Sequence, residues 1–249
     1  MAKKSLLPWI LVILLASTLI LFLVVGPEET SENNIGYSNE TRFAAIGNAS
    51  VVTMRLPAVD AAGNGVLTDL AVEIRNGTGR ILVDINNLFF WADTQQSIKL
   101  AKDVAEKVSG INASNFDLVY NIYANASLIG GPSAGAAITI ATIAALEGRT
   151  INESVMITGT VNSDGSIGKV GDVFEKSQAA RAGNATLFLV PEGQGSKAVT
   201  KTTKDCKMYK IIEICSVDQI TEKTSIDNNT GIKVIEVKDI KDALQYFIK

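Results

Sequence analysis

The chain of 249 residues contains no histidine. This absence excludes a Ser-His-Asp triad, because that mechanism needs an imidazole to take the proton from the serine hydroxyl. The chain has only two cysteines, Cys206 and Cys215, and no Cys-x-x-Cys pair. Neither a zinc site nor a thioredoxin-like redox pair is therefore indicated, and we predict no metal.

Two other patterns are missing. The phosphate-binding pattern Gly-x-x-x-x-Gly-Lys-Ser/Thr does not occur, since Gly168-Lys169-Val170 lacks both the first glycine and the hydroxyl residue. The net charge is −3, and no basic run extends beyond Lys3-Lys4. That charge distribution gives no electrostatic footprint for nucleic acid. We predict no ATP or other cofactor and no nucleic-acid partner.

A serine motif is present, at Gly131-Pro132-Ser133-Ala134-Gly135. Gly-x-Ser-x-Gly is typical of a nucleophilic serine on a turn between a strand and a helix. The residues around it fit that turn: Phe116 to Tyr123 has the composition of a strand, and the alanine-rich run that ends at Gly148 that of a buried helix. The alternative is an ordinary serine helix cap.

A nucleophilic serine in this chain needs a base other than histidine. Lysine is the best candidate, because burial lowers the pKa of its ammonium group until neutral amine exists near pH 7. The motif therefore indicates an uncommon Ser-Lys mechanism.

The segment after the serine adds further motifs in a fixed order. A Thr158-Gly159 strand and a glycine-rich turn come first, and a helix follows with the pattern Gly-x-x-x-Glu-Lys-x-x-Ala-Ala-x-x-Gly, which ends at Gly183. The order strongly resembles the proteolytic domain of the Lon proteases, over roughly residues 67–247 and most specifically over 131–191. The resemblance implies that Ser133 is the nucleophile, that Lys176 is its base, and that Thr158 lies beside this dyad. From the chemistry of the side chains we expect the Thr158 hydroxyl to orient the lysine by a hydrogen bond.

The resemblance also has consequences for fold and activity. It implies an α+β domain with a ribosomal-protein-S5-like fold, peptidase activity on polypeptides, and a hexameric ring. The family usually has aspartate where Gly130 stands, and Pro-x-Gly-Gly where this chain has Lys169-Val170-Gly171-Asp172.

The lysine of the glycine-rich loop, Lys169, is the rival base to Lys176. A loop lysine is less readily buried than one on the face of a helix, and the shifted pKa depends on burial. We therefore predict Lys176 as the base.

The amino-terminal region predicts a membrane anchor. Leu6 to Val25 is an apolar run of the length that spans a bilayer as a helix. Lysines precede this run and glutamates follow it, which keeps the amino end in the cytoplasm and places the rest outside. A cleaved signal peptide is the alternative. We predict a stub and anchor at 1–26, a flexible linker at 27–42 and a peptidase domain at 43–249.

The pattern Asn-x-Ser/Thr occurs eight times, whereas 17 asparagines with 36 serines and threonines give about 2.5 by chance. We expect several of these sites to carry glycans, the alternative being local turn chemistry. The eight asparagines are Asn39, Asn48, Asn76, Asn112, Asn125, Asn152, Asn184 and Asn228. Cys206 and Cys215 fit either a disulfide in an oxidising compartment or two buried thiols.

Hydrophobic patterning predicts most of the remaining elements. The predicted strands are Ala49 to Arg55, Gly65 to Ile74, Ile81 to Phe90, Ala185 to Pro191, Tyr209 to Ile214 and Ile232 to Val237. The predicted helices are Asp93 to Val108 and Lys238 to Ile248, and residues 221–231 are predicted as a polar loop.

Together these observations predict an ATP-independent serine endopeptidase that cleaves unfolded or flexible segments outside the membrane. Two other functions remain open. One is a non-catalytic Lon-like module that binds peptides or scaffolds a membrane complex. The other is an esterase or amidase that uses the same Ser-Lys dyad.

Overall fold

The structure is a computed structural model that describes residues 50–248 apart from 85–88, 91, 124–127, 130 and 211. In chain order the strands are β1 Ser50–Val59, β2 Gly65–Asn76, β3 Ile81–Asp84, β4 Phe89–Phe90, β5 Phe116–Tyr123, β6 Leu128–Ile129, β7 Val155–Ile157, β8 Thr160–Val161, β9 Ile167–Gly168, β10 Leu187–Pro191, β11 Ser196–Tyr209, β12 Ile212–Ser225 and β13 Lys233–Val237. The helices are α1 Ala92–Ser109, α2 Gly135–Leu146, α3 Val173–Ala182, α4 Ile226–Thr230 and α5 Ile240–Phe247.

Four strands form the largest sheet, in the order β1-β2-β5-β3. β1, β2 and β5 pair antiparallel, and β3 joins β5 in parallel. Alternate residues of β2, Leu70, Val72 and Ile74, are buried while their neighbours are more exposed. This period of two gives the sheet one apolar face, which packs on the helices.

A second sheet is parallel, with the order β13-β10-β7. Its central strand, β10, reads Leu-Phe-Leu-Val-Pro, and its last four residues are buried. A continuous apolar run is typical of a strand covered on both faces.

Helix α2 is buried on all sides. Eleven of its twelve residues, all except Leu146, are buried. A helix that is apolar around its whole circumference belongs in the middle of a core. The hydroxyls of its two threonines donate hydrogen bonds within the helix, Thr139 to the Gly135 carbonyl and Thr142 to the Ile138 carbonyl, each at 2.7 Å. The Tyr120 hydroxyl of β5 lies 3.0 Å from Thr142 Oγ1, so no polar atom in this group is left without a partner.

The sequence patterns predicted most of these elements correctly. β1, β2 and β5, helices α1 and α2, the strand β10 and the last helix α5 lie where they were expected, within a few residues. Within the predicted strand Ile81 to Phe90 the structure describes β3 and β4, which belong to different sheets, while residues 85–88 lie outside the described residues.

The carboxyl-terminal predictions were wrong between residues 196 and 225. Tyr209 to Ile214 is not one strand but the end of a hairpin, with β11 before it and β12 after it. The residues predicted as a polar loop continue β12 and then form α4. The pattern failed because this hairpin is exposed on both faces, so its strands show no apolar alternation.

The two cysteines lie directly opposite each other in this hairpin and form a disulfide, so neither is a free thiol. Among the described residues, no helix has the length and hydrophobicity needed to cross a bilayer. The predicted anchor at 1–26 and linker at 27–42 lie outside those residues.

Asp117, at the start of β5, ties the turn after β2 to the main sheet. Its carboxylate accepts hydrogen bonds from the Thr78 and Arg80 amides at 2.8 and 3.0 Å, and from Arg80 Nε and Nη2 at 2.9 and 2.6 Å. The Arg80 guanidinium and the two amides lower the pKa of Asp117 to about 2.

Asp117→Asn is expected to lower the denaturant midpoint of unfolding at pH 7, because the amide replaces a charged acceptor that has four donors. A carboxyl whose pKa is lowered by folding stabilises the protein above its unfolded pKa near 3.8, and that contribution is lost as pH falls towards about 2. The difference in denaturant midpoint between wild type and variant should therefore shrink as the pH falls from about 3.8 to about 2. Denaturant titrations at several pH values measure it, with the exposed Asp205→Asn as the control. If Asp117→Asn lowers the denaturant midpoint as much at pH 2 as at pH 7, the stabilising role assigned to the ionised Asp117 carboxylate is contradicted.

Candidate active site

Ser133 lies in a single 3₁₀ turn, Pro132–Ala134, that leads directly into α2. Gly131 precedes the turn with φ of 100°, a conformation that favours glycine. Gly135 begins the helix, and a Cβ there would lie 2.9 Å from the Val161 amide nitrogen of β8. The two glycines of the motif therefore permit a sharp turn and a close contact, and Ser133 is half-buried where they meet.

The backbone of Ser133 is held from the neighbouring segment between β7 and β8. The Gly159 amide donates to the Ser133 carbonyl at 2.9 Å, and the Ala136 amide donates to the Gly159 carbonyl at 3.0 Å. The buried Thr158 adds its hydroxyl, which donates to the same Ser133 carbonyl at 3.4 Å. These bonds fix the serine turn against the end of β7.

Thr158 thus lies beside Ser133, but its hydroxyl does not contact the lysine. In this structure its bond is to the Ser133 backbone. The orientation of Lys176 comes from another group.

Lys176 lies on α3 and is only 5% exposed. Its Nζ donates to the carbonyl of Gly171 at 3.1 Å. Burial lowers the pKa of Lys176 because it removes water from the ammonium group, and the nearby carboxylate of Asp172 opposes that shift. The rival, Lys169, is exposed. Of the two lysines, Lys176 has the environment that a general base requires.

The loop from Lys169 to Asp172 is held in place by a residue that the sequence did not single out, Gln194. The Val170 amide donates to Gln194 Oε1 at 3.0 Å, and Gln194 Nε2 donates to the Val170 carbonyl at 2.7 Å. The amide of this one side chain thus makes with Val170 the two backbone hydrogen bonds that a neighbouring strand would make. No local pattern identifies Gln194, because it lies 24 residues from Val170 in the chain.

Asp172 ends this loop with φ of 56°, in the left-handed region. Aspartate is one of the few residues other than glycine that enter this region at modest cost. The Asp172 carbonyl accepts from the Lys176 amide at 3.0 Å, which starts α3. Asp172 therefore connects the loop whose Gly171 carbonyl binds the lysine amine to the helix α3 that carries this lysine.

A half-open cavity of about 380 Å³ brings these groups together. Ser133, Lys169 and Lys176 all line it, together with the loop residues Val170 to Asp172. Its opposite wall comes from the β1–β2 hairpin, through Ala58, Val59, Val66 and Thr68. Thr158 is not part of the lining, whereas its neighbour Thr160 is. The cavity therefore brings a half-buried serine and a buried lysine to one surface.

Among the described residues Ser133 Oγ has no hydrogen-bond partner, and Lys176 Nζ is bonded to Gly171. The structure thus holds serine and lysine in one cavity without a direct bond between them.

One grouping of potential metal ligands occurs in the described part of the chain, formed by Cys206, Glu213 and Cys215. Its two sulfur atoms are joined in the disulfide and offer no thiolate. The grouping is on the β11–β12 hairpin, and its residues do not line the cavity.

Comparisons of the sequence with known proteins all point to one protein family. The model of the Lon protease (S16) C-terminal proteolytic domain matches residues 99–226, just over half of the chain. Lon protease 2 of Desulfotalea psychrophila is 32% identical over 130 residues, which are 51% of this chain and 16% of that protein. An archaeal Lon protease of Methanothermobacter thermautotrophicus is 23% identical over 156 residues, 62% of this chain and 24% of that protein. A Lon protease homolog of Acanthamoeba polyphaga mimivirus is 32% identical over 120 residues, 48% of this chain and 12% of that protein. The chain thus spans less than a quarter of the length of these relatives.

The Asp172 carboxylate is expected to set part of the pKa of Lys176. Asp172→Asn removes the charge that raises this pKa, so desolvation acts unopposed and the pKa of Lys176 falls further. Asparagine tolerates the left-handed conformation, so the loop is preserved. Carbon-13 NMR titration of labelled lysine measures the pKa directly. Glu175→Gln is the matched control, because Glu175 lies in the same turn and pairs with Lys197 instead. An unchanged or raised pKa in the Asp172 variant would contradict the prediction.

Proposed function

This chain belongs to the Lon protease (S16) C-terminal proteolytic domain family, and on that premise we propose that it is a serine endopeptidase that works through Ser133 and Lys176 without ATP. The observation that carries the proposal is the shared cavity, whose wall includes the half-buried Ser133 and the buried Lys176 with its lowered pKa.

The reaction begins when a peptide carbonyl enters the cavity. Lys176, as the neutral amine, takes the proton from Ser133 Oγ while that oxygen forms a bond to the carbonyl carbon. The oxyanion is stabilised by backbone amides at the start of α2, next to Ser133, where the helix dipole also favours negative charge.

The second half of the cycle releases both products. Protonated Lys176 gives its proton to the leaving nitrogen as the C–N bond breaks, which leaves an ester on Ser133. Water then attacks this ester, Lys176 takes a proton from the water, and the proton returns to Ser133 as the acid product departs.

The Gly171 carbonyl defines the resting position of the lysine. Lys176 Nζ exchanges its bond with Gly171 for one with Ser133 Oγ when substrate occupies the cavity. A half-open cavity of about 380 Å³ suits an extended or flexible segment of polypeptide better than a folded surface. We propose unfolded or flexible polypeptides as the substrates.

We propose a location outside the cytoplasmic membrane, with residues 6–25 as a single anchor and the amino terminus in the cytoplasm. Three features support this location: the charges that flank the apolar run, the excess of Asn-x-Ser/Thr sites and the Cys206–Cys215 disulfide. Little ATP is found in such a compartment, and this sequence has no Gly-x-x-x-x-Gly-Lys-Ser/Thr pattern.

The test is cleavage of an unfolded protein such as reduced, alkylated casein by the full chain in detergent without ATP. Ser133→Ala and Lys176→Ala should each lower kcat about 10³-fold or more, because each removes one member of a unit that acts together. Lys169→Ala should keep most of the activity, since that lysine is exposed.

Activity that survives Lys176→Ala would overturn the assignment of the base. Turnover of small esters without any cleavage of casein would favour an esterase or amidase. Binding of casein without cleavage, and equally by the wild type and Ser133→Ala, would favour a non-catalytic peptide-binding module.

Glycans are expected at exposed asparagines. Asn76, Asn112, Asn184 and Asn228 are exposed, whereas Asn152 is half-buried and its Oδ1 accepts from the amide and hydroxyl of Ser154. The other three asparagines of the pattern lie outside the described residues. Peptide mapping of protein from its native host, before and after enzymatic deglycosylation, should show modification at one or more of the four exposed sites and none at Asn152. The absence of any mass shift would refute the proposal of glycosylation.

A further inference from the structure

Gln194 lies in a turn that the parallel sheet holds in place. β10 ends at Pro191, and the Gln194 amide donates to the Pro191 carbonyl at 3.1 Å. Gly193, inside the turn, has φ of 76°, a conformation that favours glycine. The Glu192 amide donates to the Val237 carbonyl, at the end of β13, at 3.2 Å. The turn is therefore attached to the carboxyl ends of two neighbouring parallel strands.

Glu236, on β13, holds the same turn through its carboxylate. One carboxylate oxygen accepts a hydrogen bond from the Gly195 amide at 2.7 Å. The hydrogen bonds of the Gly193 and Gly195 amides lower the pKa of this carboxyl, so it carries its negative charge at neutral pH. A Cβ at Gly195 would lie 2.8 Å from Glu236 Oε1, so a side chain at that position would displace the carboxylate. The backbone on both sides of Gln194 is thus fixed.

From this turn the side chain of Gln194 reaches the loop that precedes α3. Its amide makes the two bonds with Val170, at 3.0 and 2.7 Å. The next residue, Gly171, supplies the carbonyl that accepts from Lys176 Nζ at 3.1 Å. A continuous path of hydrogen bonds and backbone therefore runs from the parallel sheet to the lysine amine.

The serine is held from the neighbouring strand of the same sheet. β7 pairs with β10, and the Thr158 amide, just beyond β7, donates to the Leu189 carbonyl at 3.1 Å. Thr158 and Gly159 in turn bind the Ser133 carbonyl. One strand thus holds the serine turn and the adjacent strand holds the lysine loop, so the sheet fixes the two groups relative to each other.

We propose that Gln194 is a positioning residue for Lys176. Its two bonds with Val170 fix the loop carbonyl that binds the lysine amine, and so keep this amine on the cavity wall that it shares with Ser133. Glu236 acts one step further away, because it holds the turn that carries Gln194. Neither Gln194 nor Glu236 lines the cavity, so neither contacts substrate there. This role rests on the Ser-Lys peptidase function proposed above.

Release of the loop has a defined consequence for the pKa of Lys176. Burial is the largest influence on this pKa, and residues 169–172 form the cavity wall beside the amine. The other charged groups that line the cavity are Lys169 and Asp172, both on that loop. When the loop moves, water reaches the amine and also screens these charges. Because burial is the larger effect, the pKa rises towards its ordinary value, and less neutral amine is present at pH 7.

The kinetic test uses Gln194→Met, which keeps the length of the side chain and removes both hydrogen bonds. For the full chain in detergent with reduced, alkylated casein, kcat at pH 7 should fall about tenfold or more and KM should change less than about twofold, because the base is displaced and the cavity lining is intact. The acid limb of the kcat profile should move to higher pH. Gln178→Met is the matched control, since Gln178 is an exposed glutamine on the helix that carries Lys176.

Carbon-13 NMR titration of labelled lysine tests the same role without turnover. The pKa of Lys176 should be higher in Gln194→Met than in the wild type and unchanged in Gln178→Met. Glu236→Ala should also raise it, although the loss of a negative charge by itself would lower it. Added to Gln194→Met, Glu236→Ala should have no further effect, because both act through one path. Glu192→Ala, an exposed glutamate of the same turn, is the control for Glu236.

The proposal is overturned by an unchanged or lowered pKa of Lys176 in Gln194→Met, by a loss of activity that appears in KM alone, or by additive effects of the two substitutions. Glu236→Ala leaves Gln194 in place, so it tests the same path if Gln194→Met does not fold. A wild type that fails to cleave casein refutes the peptidase function, whereas the NMR comparison decides the role of Gln194 independently of cleavage.

Discussion

Burial of helix α2 is the constraint on which the rest of the structure depends. Apart from its last residue, the helix is enclosed between the main sheet and α1, and each of its isoleucines contributes about 1.5–3 kcal/mol by leaving water. Because Ser133 lies in the turn that starts this helix, the packing that stabilises the core also fixes the serine. The bonds from Thr158 and Gly159 to the Ser133 carbonyl add the second point of attachment. A peptidase nucleophile needs such rigid support, since small displacements weaken attack on a carbonyl.

Two opposing effects, burial and a nearby negative charge, set the pKa of Lys176. Removing water lowers the pKa of Lys176, and the Asp172 carboxylate raises it. The same aspartate starts α3 and ends the loop whose Gly171 carbonyl binds the lysine amine. Gln194 holds that loop at Val170, so the position of the amine depends on a side chain just before β11. The basicity of Lys176 and its location are thus set by one small unit of structure.

The β11–β12 hairpin, residues 196–225, differs from the rest of the described chain in how little of its surface is buried. Outside the hairpin, the buried apolar residues form two clusters. Strands with one buried face alternate apolar and more exposed residues, and strands buried on both faces are continuously apolar. The hairpin buries very little, has six exposed large apolar side chains and is bridged by a disulfide near its end. At its base, Lys197 lies 4.1 Å from the ring centre of Phe174 and 3.7 Å from Glu175, on the helix that carries Lys176.

The sequence by itself determined the elements whose patterns report burial, together with the identity of the serine motif and the family. β5 and helix α2 were predictable because their apolar composition marks them as buried elements of the core. The absence of histidine, read with the Gly-x-Ser-x-Gly motif, restricted the base to a group such as lysine. The place of Lys176 on a helix predicts it as the base, but only the tertiary structure decided how deeply it is buried, that Gln194 holds the loop, and that residues 196–225 form one exposed hairpin. The reason is the same in each case. Burial of a single polar side chain, a hydrogen bond across 24 residues and a strand pair exposed on both faces depend on what the folded chain places next to them, and no local pattern carries that information.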